Sequence, residues 1–401
     1  MKKILYINVT YKNASTGRII NDIVKGGDND KFDYRVVFQV GGNADSNSFQ
    51  FEKKFENVIR RGVHKFFGNV GFVTVSQTKR MIEEIKRYNP DLIHIHTVHH
   101  QCTDYMQLFK FLRDFGKPVV YTLHDCWAFT GGCYHYTEQG CSGFKKDCSC
   151  CPKNSDELEC SPRKTSQELK EKTDLYKSFK HICFVGVSEW MCAEAKKSLI
   201  GQLPIICIRN GVDTEIFKDL KHHEKIYKLK SKLLGEKKHL VLGVASAWSE
   251  KKGLSSFYRF AEKLGNDYRV LLVGGNLPSQ RPVIDNLTFY GRTDNVEELA
   301  DIYNCADVLV NLSVEESFGL VTAEAAACGT PVIAYDSTAN SELIKMTGGR
   351  LISLGDEMTF IEEIERICNR SKPSENLSEI RASVSKERMV REYWELYNSI
   401  L

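Results

Sequence analysis

Several common signatures are missing from this 401-residue chain. None of its 28 glycines stands two positions from another, so the G-x-G-x-x-G dinucleotide fingerprint is absent. There is no Walker A loop, no H-E-x-x-H and no G-x-S-x-G. These absences exclude typical NAD enzymes, P-loop NTPases, zincins and serine hydrolases. No uncharged apolar run reaches the roughly 18 residues that a membrane span needs. Net charge is small: 55 Lys/Arg against 52 Asp/Glu leave +3, which gives no broad electrostatic footprint for nucleic acid. The opening Lys2-Lys3, followed by Ile4–Val9, is too short in apolar length for a signal peptide, and no small-residue cleavage site follows. It reads as the buried first strand of a cytoplasmic protein.

At 42% hydrophobic and 27% charged, the composition is that of an ordinary soluble protein long enough for two domains. Short apolar runs alternate with amphipathic stretches. The first series has runs at Ile4–Val9, Tyr34–Val40, Leu92–Ile95, Val119–Leu123, Ile182–Val187 and Pro204–Ile208. After Asn210-Gly211 the alternation restarts, with Leu240–Val244, Val270–Val273, Leu287–Tyr290, Val308–Asn311 and Pro331–Ala334. Runs too apolar to have a wet face, separated by helical patterns, predict parallel sheets covered on both sides. Two series predict an α/β protein of two doubly wound domains. The expected division is 1–208, 209–383 and a final helical stretch, 384–401, in which Met389, Tyr393, Trp394 and Tyr397 form one apolar face.

Ligands of such sheets sit at the carboxyl ends of strands. The segment Ser313–Val332 carries Glu315-Glu316-Ser317-Phe318-Gly319-Leu320, then Glu324, then Cys328-Gly329-Thr330-Pro331. It predicts a strand end, a glycine loop and a helix from about Leu320, whose free N–H groups and dipole suit a diphosphate. Glu316 and Glu324, expected on the same side, can accept paired hydrogen bonds from sugar hydroxyls. Taken singly, each glutamate is better explained as a cap or a solvated side chain.

Together, Glu-x7-Glu with Ser-Phe-Gly-Leu between, followed by Ala-Cys-Gly-Thr-Pro-Val, resembles the donor-sugar motif of retaining glycosyltransferases of family 4. These have the GT-B fold, two Rossmann-like domains facing across a cleft. Asn210-Gly211-Val212-Asp213 with Phe217 resembles the family's interdomain segment, and His94, His96 and Thr122-Leu123-His124-Asp125 resemble its amino-domain strand ends. The resemblance covers nearly the whole chain. It implies an amino-terminal acceptor-side domain, a carboxyl-terminal nucleotide-sugar domain and a last helix that packs back on the first domain.

The resemblance also implies roles. His124 matches a histidine near the transferred sugar, Lys252 the lysine that neutralises the diphosphate, and Glu316 a carboxylate at the reacting sugar. Thr16, Gly17, Arg292, Thr293, Ser317, Phe318, Gly319, Leu320 and Glu324 match donor-binding positions, Gly17 through its missing Cβ. The family's usual arginine five positions before the lysine is Ala247 here, with Lys251 the nearest substitute. No cofactor is required for catalysis. Lysine and a helix amino end stabilise the leaving phosphate, and no D-x-D motif of the kind metal-dependent transferases use stands near a donor site. The departing phosphate can take the acceptor's proton.

Seven of the fourteen cysteines fall between 126 and 160. In a chain without a secretory signal this density points to metal before disulfides. Cys148 and Cys151 have C-x-x-C spacing, and with Cys133 and Cys141 they make a tetrahedral thiolate set for structural zinc, with Cys150 and His135 as alternates. Free loop thiols or a redox pair are the alternatives. The cluster resembles an insertion in a subset of these transferases.

Residues 1–208 carry net charge +7 and 209–401 net −4. Within 51–67, Phe51, Phe55, Ile59, Val63 and Phe67 recur every four residues among Lys53, Lys54, Arg60, Arg61 and Lys65. This predicts a basic amphipathic helix, either packed on the core or lying on an anionic membrane as a peripheral contact. The resemblance therefore implies a transferase moving a sugar from a nucleotide-diphosphate donor to a saccharide or lipid-linked acceptor, in surface polysaccharide biosynthesis. The rivals are a nucleotide-sugar epimerase or phosphorylase, and a silent scaffold that binds a partner through its cysteines.

Overall fold

The computed structural model describes residues 1–28, 30–41, 44–53, 56, 71–99, 102–154, 158, 160–277, 281–369 and 376–401. The chain divides into two compact units, Met1–Arg209 with Met389–Leu401, and Asn210–Arg388. The boundary thus lies one residue beyond the expected 208/209 division, and the chain rejoins the first unit at Met389.

The first unit is built on a seven-stranded parallel sheet, β3-β2-β1-β4-β5-β6-β7. Its strands are β1 (Lys2–Asn8), β2 (Phe32–Phe38), β3 (Ser48–Gln50), β4 (Leu92–Ile95), β5 (Val119–Leu123), β6 (Ile182–Gly186) and β7 (Ile205–Cys207). The period of two along β1 sorts its side chains between two cores. Leu5 and Ile7 face the core that holds Met81 and Ile85 of helix Gly71–Tyr88, Leu108, Phe109 and Leu112 of helix Tyr105–Phe115, and Tyr176 of helix Thr165–Lys177. Ile4 and Tyr6 face the other core, with Ile19, Ile20 and Ile23 of helix Ala14–Lys25 and Met389, Tyr393 and Tyr397 of helix Lys386–Ile400. Both faces are covered, which is why β4 and β5 are buried from end to end. Local signals set the helix ends. Asp104 caps helix Tyr105–Phe115 by accepting from the Gln107 amide at 3.0 Å.

The second unit carries a six-stranded parallel sheet, β10-β9-β8-β11-β12-β13. Its strands are β8 (His239–Ala247), β9 (Tyr268–Gly275), β10 (Leu287–Gly291), β11 (Val308–Asn311), β12 (Val332–Tyr335) and β13 (Arg350–Ile352). In each sheet the strand order reverses once, between β1 and β4 and between β8 and β11. Those reversals open the crevices where such sheets take ligands.

Two strands were not expected, β3 and β13, each three residues long at a sheet edge. Most of the expected basic helix over 51–67 lies outside the described residues. Among the described residues, no helix is long and apolar enough to cross a membrane.

Candidate active site

At the reversal of the second sheet, β11 ends at Asn311, whose side chain organises the loop that follows. Its Oδ1 accepts from the Ser313 amide at 3.0 Å and its Nδ2 donates to Thr322 Oγ1 at 3.1 Å. Thr338 Oγ1 accepts from the Glu316 amide at 2.8 Å. Phe318 is buried and anchors the turn, while Ser317 and Leu320 stay half-buried. Gly319 has φ +96°, a conformation that favours glycine, and helix Leu320–Ala327 starts immediately after it.

The neighbouring loop leaves β8 and ends in the short 3-10 turn Glu250–Lys252. Gly253 follows at φ +75°, and a Cβ there would stand 2.3 Å from Leu312 Cβ. Glycine therefore lets the lysine loop pack directly on the extension of β11. The Val314 amide donates to the Lys251 carbonyl at 3.1 Å. As a result, two adjacent lysines meet two adjacent glutamates. Lys252 Nζ lies 2.6 Å from Glu316 Oε1, and Lys251 Nζ lies 3.9 Å from Glu315 Oε2. Lys252 keeps 32% of its side chain exposed, so the ammonium can exchange one anion for another.

Glu324 behaves differently from Glu316. It is only 4% exposed, and Tyr303 donates its hydroxyl hydrogen bond to Glu324 Oε2 at 2.9 Å. Glu316 is thus held in a loop by Lys252, and Glu324 is buried in the helix against Tyr303. Tyr303, on helix Val296–Cys305, escaped the sequence reading because no local pattern links it to a residue 21 positions away.

Arg292 follows the end of β10. Its Nη2 lies 3.4 Å from the Ser246 carbonyl, and a Cβ on Gly275 would come within 2.2 Å of its Nε. Gly275 is the β9 register partner of Ala247. The guanidinium therefore lies beside Ala247, over backbone that only a glycine leaves open. Thr293 is half-buried next to it.

In the first unit, Thr16 and Gly17 belong to the first turns of helix Ala14–Lys25. Asn8, at the end of β1, donates to Thr16 Oγ1 at 3.0 Å. The space left by the missing Cβ of Gly17 is taken by Thr10, whose Oγ1 would be 2.9 Å from such an atom.

His96 and His124 follow β4 and β5. His96 Nδ1 lies 2.9 Å from His124 Nε2, with the rings stacked at 5.2 Å. Behind them, His94 bonds Tyr397 through Nδ1 at 2.6 Å and Thr122 through Nε2 at 2.8 Å. Burial holds His94 and His96 well below the ordinary histidine range. His124 is pulled down to about 4, chiefly by desolvation, with Asp125 opposing and His99 adding. All three are neutral imidazoles at neutral pH. His99 bonds Asp125 at 2.8 Å and stacks on Trp127 at 4.9 Å.

The cysteine-rich segment follows directly. Cys133, Cys141, Cys148 and Cys151, with Cys150, line one cavity of about 20 Å³. The Gly143 amide donates to Cys141 Sγ at 3.4 Å and the Cys148 amide to the Gly143 carbonyl at 2.9 Å. Lys153 lines the same cavity and is 6% exposed. Lys172 is 1% exposed, donates to the Trp127 carbonyl at 2.6 Å and sits 3.9 Å from that indole's ring centre. Among the described residues, no three His, Cys, Asp or Glu side chains are already grouped for a metal ion.

Two family models match the chain: Glycosyltransferase Family 4 over residues 17–216 and Glycosyl transferases group 1 over 225–383. A putative colanic acid biosynthesis glycosyl transferase of Escherichia coli K12, WcaC, is 26% identical over 325 residues, covering 78% of this chain and 77% of its own. Among solved structures, sucrose-phosphate synthase from Thermosynechococcus elongatus aligns with TM-score 0.74 at 17% identity, over 100% of this chain and 99% of that one. Anabaena HepE, solved in complex with UDP and glucose, aligns with TM-score 0.68 at 17% identity over 100% of both chains. The chain belongs to glycosyltransferase family 4 and has the GT-B fold.

Proposed function

We propose that this glycosyltransferase takes a sugar from a nucleotide-diphosphate donor and passes it, with retention at the anomeric carbon, to a saccharide or lipid-linked saccharide in surface polysaccharide assembly. The observation that carries this reading is the Lys252–Glu316 pair at 2.6 Å, held at the sheet's carboxyl edge beside helix Leu320–Ala327. HepE, a neighbour in fold, was solved with UDP and glucose, and the WcaC name places that relative in colanic acid biosynthesis. Both favour a nucleotide-sugar donor and this setting.

Breaking the sugar–phosphate bond builds negative charge on the leaving diphosphate, and groups aimed there before reaction stabilise it most. Lys252 leaves Glu316 for the diphosphate, which frees the Glu316 carboxylate for the sugar. The amino end of Leu320–Ala327 adds N–H groups. Arg292, beside Ala247, supplies the second cation more directly than Lys251, which already approaches Glu315. Glu324, fixed by Tyr303, accepts from a donor hydroxyl. The anomeric C–O(P) bond breaks as the acceptor oxygen bonds the same carbon from the same face. The acceptor's proton goes to the departing phosphate. His124, a neutral imidazole, orients a sugar hydroxyl. Nucleotide release from a panel of UDP- and GDP-sugars, with divalent metal chelated, tests this reading. It predicts release from one donor class, slowed by about 10²–10³ in Lys252→Ala.

For the cysteine segment the reading is one structural zinc held by Cys133, Cys141, Cys148 and Cys151. All four line a cavity of about 20 Å³, close to the room one small ion needs. A four-thiolate zinc carries charge −2, and Lys153, nearly buried, lines the same cavity. Binding requires the four thiols to turn into the cavity. Peripheral contact with an anionic membrane rests on the sequence of 51–67 alone.

A further inference from the structure

The imidazole pair at the ends of β4 and β5 contains one residue to which the reaction above gives no role. His96 is 1% exposed, and its Nε2 is buried with no hydrogen-bond partner among the described residues. Its Nδ1 meets His124 Nε2 at 2.9 Å, so one proton lies between the two rings. That proton belongs to one of two arrangements. If His124 Nε2 carried it, His96 Nδ1 would accept, and the neutral His96 ring would place its own proton on Nε2. That proton would be a buried donor with nothing to receive it. If His96 Nδ1 carries the proton, its Nε2 is a bare lone pair, and an unsatisfied acceptor is tolerated better than an orphaned N–H. The second arrangement is therefore favoured. His124 Nε2 then accepts, and the neutral His124 ring must hold its proton on Nδ1. Nδ1 of His124 has no hydrogen-bond partner among the described residues and is not among the buried unpaired atoms.

We propose that His96 is a positioning residue that fixes His124 as the Nδ1–H tautomer, leaving Nδ1 as the one ring nitrogen able to meet a sugar, and meeting it as a donor. This rests on the sugar-contacting role assigned to His124 above. The groups that face the pair agree with a neutral dyad. His94 stands 4.1 Å from the His96 ring and Tyr6 stands 6.4 Å from it, while Asp125 and His99 act electrostatically on His124. Of these, only Asp125 favours a proton on His124, and burial outweighs it. A donor at Nδ1 suits a hydroxyl oxygen or a developing alkoxide. It does not suit removal of a proton, which leaves that task to the departing phosphate.

The test has two parts, both on the full chain. Nitrogen-15 spectra of histidine-labelled protein at neutral pH report which ring nitrogen is protonated. The expected result is a protonated Nδ1 and a bare Nε2 at His124. A protonated Nε2 overturns the proposal, and because this reads the native protein it holds even if a variant fails to fold. Turnover is then compared for His96→Leu, which removes the donor, and His96→Asn, whose amide can place an N–H near the Nδ1 position. His96→Leu should lower kcat roughly tenfold or more with little change in donor KM, and His96→Asn should recover most of it. Native turnover in His96→Leu alongside an inactive His124→Ala overturns the positioning role and leaves the proposed function standing. Native turnover in His124→Ala removes the role of His124 itself, and the inference with it.

Discussion

Lys252 and Glu316 form an ion pair at 2.6 Å across two loops of the second sheet, 64 residues apart in the chain. The pair is partly exposed, at 32% and 15% of the two side chains, so it contributes little to stability, about 0–1 kcal/mol. Its value lies in placing a cation and a carboxylate at one strand edge, each releasable to a different part of a donor.

Lys252→Ala should therefore lower kcat by about 10²–10³ while leaving the unfolding midpoint nearly unchanged. Glu316→Gln should lower turnover with a smaller effect on donor binding. Steady-state kinetics and denaturant unfolding on the two variants check this. A large loss of stability in either would make the pair structural.

Glu324→Ala should weaken nucleotide-sugar binding by about 1.5–3 kcal/mol, the loss of a charge-assisted bond. Tyr303→Phe removes the hydroxyl that holds Glu324 at 2.9 Å and should raise the donor dissociation constant by less than Glu324→Ala does. Calorimetric titration with the donor separates the two. Unchanged affinity in Glu324→Ala would remove it from the site.

Arg292→Ala should lower kcat/KM because the guanidinium beside Ala247 is lost. Ala247→Arg in the Arg292→Ala background places a cation at the neighbouring position and should restore part of it. Lys251→Ala, by contrast, should be milder. Equal losses in Lys251→Ala and Arg292→Ala would return the second cation to Lys251.

Elemental analysis of purified, untagged protein should find about one zinc per chain, and Cys148→Ser should lose it. Turnover should survive a mild chelator. Metal-free, fully folded protein would leave the cysteines as free thiols or a redox pair.

Acid should destabilise the first unit earlier than ordinary carboxylate titration does. His94, His96 and His124 have folded-state values depressed below the ordinary 6.5, His124 to about 4. Between those values the unfolded chain binds more protons, so stability rises with pH there and is lost as pH falls from about 6.5 towards 4. Each fully depressed histidine adds a slope of at most about 1.4 kcal/mol per pH unit. Denaturant midpoints at pH 7 and pH 5 should differ in native protein and differ less in His94→Leu.

Much of the fold was legible because the central strands are covered on both faces. β4 and β5 are apolar runs of four and five residues, with nothing to alternate with. β3 and β13 were not legible: Ser48-Phe49-Gln50 and Arg350-Leu351-Ile352 are too short and too polar, and pairing at a sheet edge makes them strands. At the site, the loop residues Glu316, Gly319 and Lys252 stand in local motifs. Their partners do not. Tyr303 reaches Glu324 from another helix, and Arg292 reaches Ala247 only through the β8–β9 register.

The most direct test of the central claim follows the anomeric proton of the transferred sugar by NMR. The full chain is given the α-linked nucleotide sugar it consumes, with divalent metal chelated. The account predicts release of the nucleoside diphosphate, a first-formed product with the donor's α configuration, and both slowed by about 10²–10³ in Lys252→Ala. A first-formed β product, or turnover unchanged in Lys252→Ala, would contradict it.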